Sequence, residues 1–154
     1  MKLIITPVTR NNRTIVEKLE IHRYQQGYIE SVKECLKEAD DLKDWKLVCI
    51  MDSNTIVGFA MYGRICEETV HKVWLDRLLI DKRFQHQGYA RCAVKMILQD
   101  IAIQYPKEDV YLSVYEENQP AISLYQSFGF LFTGELDTKG EKIMVLNGAK
   151  IPQT

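Results

Sequence analysis

Several absences narrow the field before any motif is read. No apolar run approaches the ~18 residues that a membrane span requires, so no membrane partner is expected. Charge of one sign is missing as well: 20 Lys+Arg face 21 Asp+Glu, for a net charge of −1, which lacks the electrostatic footprint of a general nucleic-acid binder. Cysteines are few and unpaired in pattern. Cys35, Cys49, Cys66 and Cys92 include no CxxC, and their spacings of 14, 17 and 26 fit no zinc motif. No metal site is expected, and the thiols read as reduced, structural groups of a cytoplasmic protein. A cysteine nucleophile needs a histidine partner, and His22, His71 and His86 are scattered. The opening Met1–Pro7 stretch turns polar too quickly for a secretory signal. No Pro/Gly/Ser-rich linker, internal repeat or long like-charge run divides the chain. A single domain over 1–154 is expected, with 151–154 as a loose tail.

What is present supports a full core. Of 154 residues 46% are hydrophobic, with eight Tyr, five Phe and two Trp, which excludes low-complexity disorder. Lys2–Val8 reads as a strand, and Asn11 or Asn12 can cap a short helix to about Leu19. Apolar residues at 28, 29, 32, 35, 36 and 39 give Tyr28–Ala39 a helical period. It ends in an acidic patch, Glu38, Asp40, Asp41 and Asp44, either a solvated helix end or a landing site for a cationic substrate. Trp45–Met51 and Thr55–Gly63 form a hairpin about the polar turn Asp52-Ser53-Asn54. Val73–Asp81 is another strand. Gln87–Tyr105 is the longest helix, with one apolar stripe at 90, 93, 94, 97, 98 and 101, stopped by Pro106. Asp109–Tyr115 alternates as a strand. Asn118–Phe128 is a helix with Asn118 as N-cap and Pro120 in its first turn. Phe130–Glu135 and Lys142–Leu146 close the chain as two strands around a loop at Lys139-Gly140. This order predicts a mixed α/β sheet with a right-handed parallel crossover between Val73 and Tyr115.

The most informative stretch is Gln85-His86-Gln87-Gly88-Tyr89-Ala90, where a strand passes into the long helix. A glycine there lets backbone approach a ligand, and the free N–H groups of a helix start bind phosphate oxygens. Neither the Gly-Lys-Ser/Thr of a Walker loop nor three glycines in Rossmann register is present. Taken alone, the stretch fits an ordinary strand–helix turn equally well.

Gln-x-x-Gly-x-Ala after Leu-Leu-Ile-Asp resembles the acetyl-CoA pyrophosphate loop of the GCN5-related N-acetyltransferase (GNAT) superfamily. The run from Asn118 through Ala121 and Tyr125 to Gly129-Phe130 resembles its second signature. The similarity spans Leu3 to Leu146. Gly58–Tyr62 and Trp74–Ile80 make it closest to the polyamine (spermine/spermidine or diamine) N-acetyltransferases. The resemblance implies a mostly antiparallel sheet of six to seven strands, splayed between two central parallel strands and flanked by about four helices. Acetyl-CoA would lie in the gap between Val73–Asp81 and Asp109–Tyr115. Leu78, Leu79 and Ile80 would line its pantetheine arm, with the Leu78 N–H as oxyanion donor, an interaction worth ~3 kcal/mol. Gln85, His86, Gln87, Gly88, Tyr89, Ala90 and Arg91 would cradle the pyrophosphate, although Gln85 replaces the commoner Arg. Asn118, Ala121 and Tyr125 would border the arm.

Two residues carry the implied chemistry. Spacing alone makes Tyr125 a core tyrosine, while the register with Asn118 and Gly129 makes it the general acid for the leaving thiolate. Asp76 is a carboxylate inside a strand, either a buried ion pair or the base that draws a proton from the amine, through water, since the polyamine enzymes carry the longer Glu there. By strand alternation Asp76 faces with Trp74, Leu78 and Ile80, and Arg77 faces away. Tyr28, Glu30, Trp74, Asp76 and Glu116 are the candidate acceptor-site residues for a flexible polycation. The expected function is direct acetyl transfer to a small-molecule polyamine by a cytoplasmic homodimer. The alternatives are another amine acceptor (protein N-terminus, amino acid, aminoglycoside) or a non-catalytic acetyl-CoA sensor.

Overall fold

A computed structural model of the chain describes residues 2–21, 33, 36, 37 and 44–151. Seven strands form one sheet. They are β1 (Leu3–Pro7), β2 (Trp45–Asp52), β3 (Thr55–Glu67), β4 (Val70–Ile80), β5 (Val110–Val114), β6 (Leu131–Leu136) and β7 (Lys142–Leu146). Their hydrogen-bonded order is β1-β2-β3-β4-β5-β7-β6. Every neighbouring pair is antiparallel except β4 and β5. Three helices are described: α1 (Arg13–Glu17), α2 (Tyr89–Gln104) and α3 (Gln119–Ser127). Lys33, Leu36 and Lys37 are helical, and the rest of the helix expected over Tyr28–Ala39 lies outside the described residues. So do Tyr28, Glu30 and the acidic residues Glu38, Asp40 and Asp41. Among the described residues no helix is long and apolar enough to cross a membrane.

Alternation along the strands sends side chains into two apolar clusters, one on each face. On one face Val48, Ile50, Ala60, Tyr62, Val73 and Leu75 pack with the α2 stripe Ala93, Val94, Ile97, Leu98 and Ile101 and with Ile122 of α3. On the other Cys49, Phe59, Met61 and Leu79 meet Val16, Leu19 and Leu36. The stripe expected for the long helix is thus the one that is buried, except that Tyr89 joins it and Ala90 lies at its margin.

The β3–β4 ribbon runs further than the sequence suggests, because Arg64–Glu67 and Val70–Lys72 carry little apolar signal yet stay in register to Glu67↔Val70. Within it the register passes from Tyr62↔Leu75 to Met61↔Arg77, leaving Asp76 without an opposite residue. This β-bulge reverses the phase of β4. Before it Val73 and Leu75 face α2; after it Leu78 and Ile80 do, and Leu79 turns to the α1 side. The strict alternation expected for Trp74, Asp76, Leu78 and Ile80 therefore fails at the bulge, and Arg77 lies beside Asp76 rather than away from it.

Candidate active site

β4 and β5 are parallel neighbours for two residue pairs only, Val73↔Val110 and Trp74↔Tyr111. Beyond that point β4 runs on to Ile80, held by β3, and β5 to Val114, held by β7. The two strands diverge, and their facing edges lose the ladder that would satisfy the backbone. The result is a wedge whose walls carry backbone N–H and C=O groups outside any ladder among the described residues, able to take an extended, amide-bearing chain as an added strand. Leu78 is half-buried at its margin.

The end of β4 leads directly, through a short turn, to the start of α2. Asp81 is 1% exposed and accepts bonds from the Arg83 N–H (2.9 Å), Arg83 Nε (2.8 Å) and the Glu20 N–H (3.0 Å). Burial pushes its carboxyl up, but the Arg83 side chain and these N–H groups outweigh it and hold the group below the usual carboxylate range. This anchor fixes the turn at Lys82–Phe84. Next come His86 and Gly88 with left-handed φ values of 63° and 87°, and Gly88 is the N-cap of α2. Residues 86–88 are exposed, and the first-turn N–H groups of α2 have no intrahelical acceptors. Backbone dipoles and the 16-residue helix thus converge on one exposed spot suited to an anion. The Gln85 side chain bonds the Ile80 carbonyl at 2.8 Å and so braces the loop. Arg91 bonds Ser127 Oγ at 2.8 Å and stacks over Phe128, tying the start of α2 to the end of α3.

α3 begins at Asn118, as the sequence predicts, with Pro in its first turn. The Asn118 side chain forms no cap, and its amide makes no hydrogen bond among the described residues. Tyr125, Ala121 and Leu78 all border the α2-side cluster. The Tyr125 ring meets Phe130 edge-on at 5.7 Å, and its hydroxyl has no hydrogen-bond partner among the described residues. Burial pushes the phenol up to about 12, so it stays protonated at neutral pH.

The opposite face of the wedge is polar and aromatic. Trp74 and Tyr111 pack at 5.5 Å, Lys72 lies 4.7 Å above the Tyr111 ring, and the buried Trp74 indole N–H finds no acceptor among the described residues. Asp76 Oδ2 pairs with Arg77 Nη1 at 2.8 Å, both side chains being mostly buried. Glu116 is drawn to Lys142 at 3.2 Å on the exposed side. Sequence reading missed Arg77, and it missed a second carboxyl group, Glu141, bonded to Ser113 of β5 at 3.0 Å. Glu141 sits in a polar hairpin that looks solvated in the sequence. Only the insertion of β7 beside β5 brings it to the sheet.

Comparison with known proteins agrees with this geometry. The family model described as acetyltransferase (GNAT) family matches residues 15–130. The chain is 42% identical over 149 residues to the spermine/spermidine N(1)-acetyltransferase of Bacillus subtilis (strain 168), covering 94% of this chain and 98% of that one. Its fold matches a chimera of the spermidine N-acetyltransferase SpeG from Vibrio cholerae, with a TM-score of 0.74 at 20% identity over 98% of both chains. It also matches AtaTR bound with AcCoA, with a TM-score of 0.71 at 18% identity over 97% and 96% of the two chains. With the wedge, the helix-start cradle and a family match over most of its length, the chain belongs to the acetyltransferase (GNAT) family.

Proposed function

We propose that the protein transfers the acetyl group of acetyl-CoA to a primary amine of a polyamine, spermine, spermidine or a diamine, by direct attack while both substrates are bound. The observation that carries this reading is the early end of the β4–β5 ladder at Trp74↔Tyr111, beside a helix start capped by left-handed Gly88. The residues present fit the cofactor. The wedge walls suit a pantetheine arm, the Asn118 amide, without a hydrogen bond among the described residues, lies at the start of α3, and the N–H groups of residues 86–91, at the exposed loop 86–88 and the first turn of α2, suit a diphosphate. Acetyl-CoA supplies the activated acetyl group as a thioester.

The chain's own groups do the rest. The Leu78 N–H stabilises negative charge on the carbonyl oxygen. The Tyr125 hydroxyl gives its proton to the departing sulfur. Asp76, next to Trp74 at the bulge, draws a proton from the amine through water and attracts its positive charge. Polyamines as acceptors are supported by the identity with the Bacillus enzyme across nearly the whole of both chains. The free thiols Cys49, Cys66 and Cys92 suit a reducing compartment, the cytoplasm. One domain and a homodimer complete the reading. β6, an edge strand with all six residues exposed and Leu131, Phe132 and Leu136 outward, supports a contact between two copies.

The test is thiol release from acetyl-CoA against spermine, spermidine, putrescine, lysine and a peptide amine. The reading expects saturable release with the polyamines at concentrations where lysine and the peptide do nothing. Release with the peptide alone refutes the acceptor, and cofactor binding without release on any amine refutes the enzyme.

A further inference from the structure

The start of α2 is braced from a second direction, by a carboxyl group that the proposed reaction does not use. β2 sends Val48 and Ile50 toward α2, and the next residue on that face is Asp52, at the end of the strand. β3 then runs back. Its Gly58 pairs with Ile80 at the end of β4, and its Val57 carbonyl accepts the Asp81 N–H at 2.8 Å. The turn between β2 and β3 therefore projects past the end of β4, alongside the stretch that leads into α2. There the Tyr89 hydroxyl donates to Asp52 Oδ2 at 2.5 Å. The other oxygen, Oδ1, accepts the Lys2 N–H, just before β1, at 3.1 Å.

Tyr89 is the first residue of α2, directly after Gly88. It is 9% exposed, its ring meets Phe84 edge-on at 6.3 Å, and it joins the α2-side cluster. Between Phe84 and Tyr89 the chain passes through two left-handed residues, His86 and Gly88. A non-glycine residue in that region persists where its surroundings fix it. On the upstream side the fixing comes from the end of β4, through Asp81 on Arg83 and Gln85 on the Ile80 carbonyl. On the downstream side the Tyr89–Asp52 bond ties the first helical residue to the end of β2. The Tyr89 hydroxyl first and the Lys2 N–H second hold the Asp52 carboxyl below the usual carboxylate range. The Asp52 bond first and burial second push the Tyr89 phenol up. At neutral pH the phenol is therefore a donor and the carboxylate an acceptor, as the bond requires.

We propose that Asp52 is a positioning residue for the diphosphate of acetyl-CoA: through the Tyr89 hydroxyl it holds the first turn of α2 in place against the loop 86–88, so that the backbone N–H groups of both converge on one anion. The proposal rests on the acetyl-CoA reading above and deepens it. Asp52 acts on the cofactor through Tyr89, not by touching it. The sign of its charge separates this role from a direct electrostatic one. A carboxylate near an anion site repels the anion, so Coulomb's law alone has the diphosphate bind more tightly once Asp52 is removed. The brace has it bind more weakly, because the N–H groups of the first turn lose their fixed aim.

The experiment is a calorimetric titration of CoA into the full chain and into Tyr89→Phe, Asp52→Ala and the double variant. Each single variant should weaken CoA binding about fivefold, the worth of one hydrogen bond. The double variant should also lose about fivefold rather than about twenty-five-fold, because the two residues act as one unit. A second readout compares two donors at saturating spermidine, acetyl-CoA and S-acetylpantetheine, which has the same thioester and no diphosphate. In Asp52→Ala, kcat/KM for acetyl-CoA should fall in step with the CoA affinity, while that for S-acetylpantetheine stays within twofold of the parent's. Damage to the fold alone would slow both donors equally. Unchanged or tighter CoA binding in Asp52→Ala overturns the proposal, as do single losses that multiply in the double variant or equal losses on the two donors. Tyr89→Phe keeps the ring against Phe84, and its CoA affinity carries the test alone should Asp52→Ala not fold. A parent that binds no CoA defeats the cofactor reading and this inference with it. A parent that binds CoA with an affinity unmoved by Tyr89→Phe defeats the inference alone.

Discussion

Replacing Tyr125 by Phe removes one oxygen and leaves the ring on Phe130. Two roles for this residue predict different outcomes. As a core tyrosine it would lose a hydrogen bond and some stability, but the hydroxyl has no partner among the described residues, so there is none to lose. Tyr125 is only partly buried and its hydroxyl is not among the buried polar atoms left without a partner, so the Phe variant should melt within a few degrees of the parent. As the acid it holds its proton because burial pushes it up to about 12. The same slot desolvates the leaving thiolate, so both anions are disfavoured together. The difference between them stays near its ordinary ~1.5 units, or roughly 2 kcal/mol uphill for the transfer. That is small against a whole barrier, whereas losing the acid lowers turnover by about 10²-fold or more, equivalent to about 2.7 kcal/mol. The assay is thiol release at saturating spermidine, with acetyl-CoA affinity and thermal unfolding measured on the same preparation. Turnover within twofold of the parent refutes the acid assignment. A drop in Tm of many degrees alongside the lost rate assigns the hydroxyl to the core instead.

Asp76→Asn should lower kcat/KM at neutral pH and move the pH optimum upward, since the amine must then shed its proton unaided; a pH–rate profile superimposable on the parent's contradicts the base role. Gly88→Ala places a Cβ on a left-handed φ of 87° at the exposed helix cap. It should weaken acetyl-CoA binding by about tenfold with spermidine KM little changed, and calorimetric titration decides it. Glu141 also links stability to pH. Its carboxyl titrates from 4.5 in the unfolded chain and near 7 in the native one, so the native state holds the extra proton between these values. The stability it contributes is full below 4.5 and is lost as pH rises through 7. Glu141→Gln lacks that loss, which solvent screening of this partly exposed group holds to about 1 kcal/mol, so its Tm should gain on the parent's from pH 4 to pH 8. Parallel Tm curves would contradict this.

Much of the fold was legible because local patterns and tertiary demands agree. The α2 stripe, the 52–54 turn, the N-cap position at Asn118 and the strand Lys142–Leu146 each rest on periodicity or turn chemistry that the packing then uses. The wedge itself came through the resemblance of two motifs and is seen in the early end of the β4–β5 ladder. What escaped depends on pairing between distant strands. Nothing in Val-Trp-Leu-Asp-Arg-Leu-Leu-Ile marks one residue as extra, so the bulge at Asp76 appears only opposite Met61 and Tyr62. That bulge is why Arg77 joins Asp76. Glu141 was hidden for a similar reason, since chain order alone does not put β7 between β5 and β6. Glu116 looked available and is engaged by Lys142, a partner 26 residues away.

Where the cofactor binds decides the function, and a crystal structure of the acetyl-CoA complex measures that directly. It should place the pantetheine arm along Leu78–Ile80 with β5 on its far side, and the diphosphate against the N–H groups of residues 86–91. A cofactor bound elsewhere, or a β4–β5 ladder continuing past Trp74 and Tyr111 with no room between the strands, would contradict it.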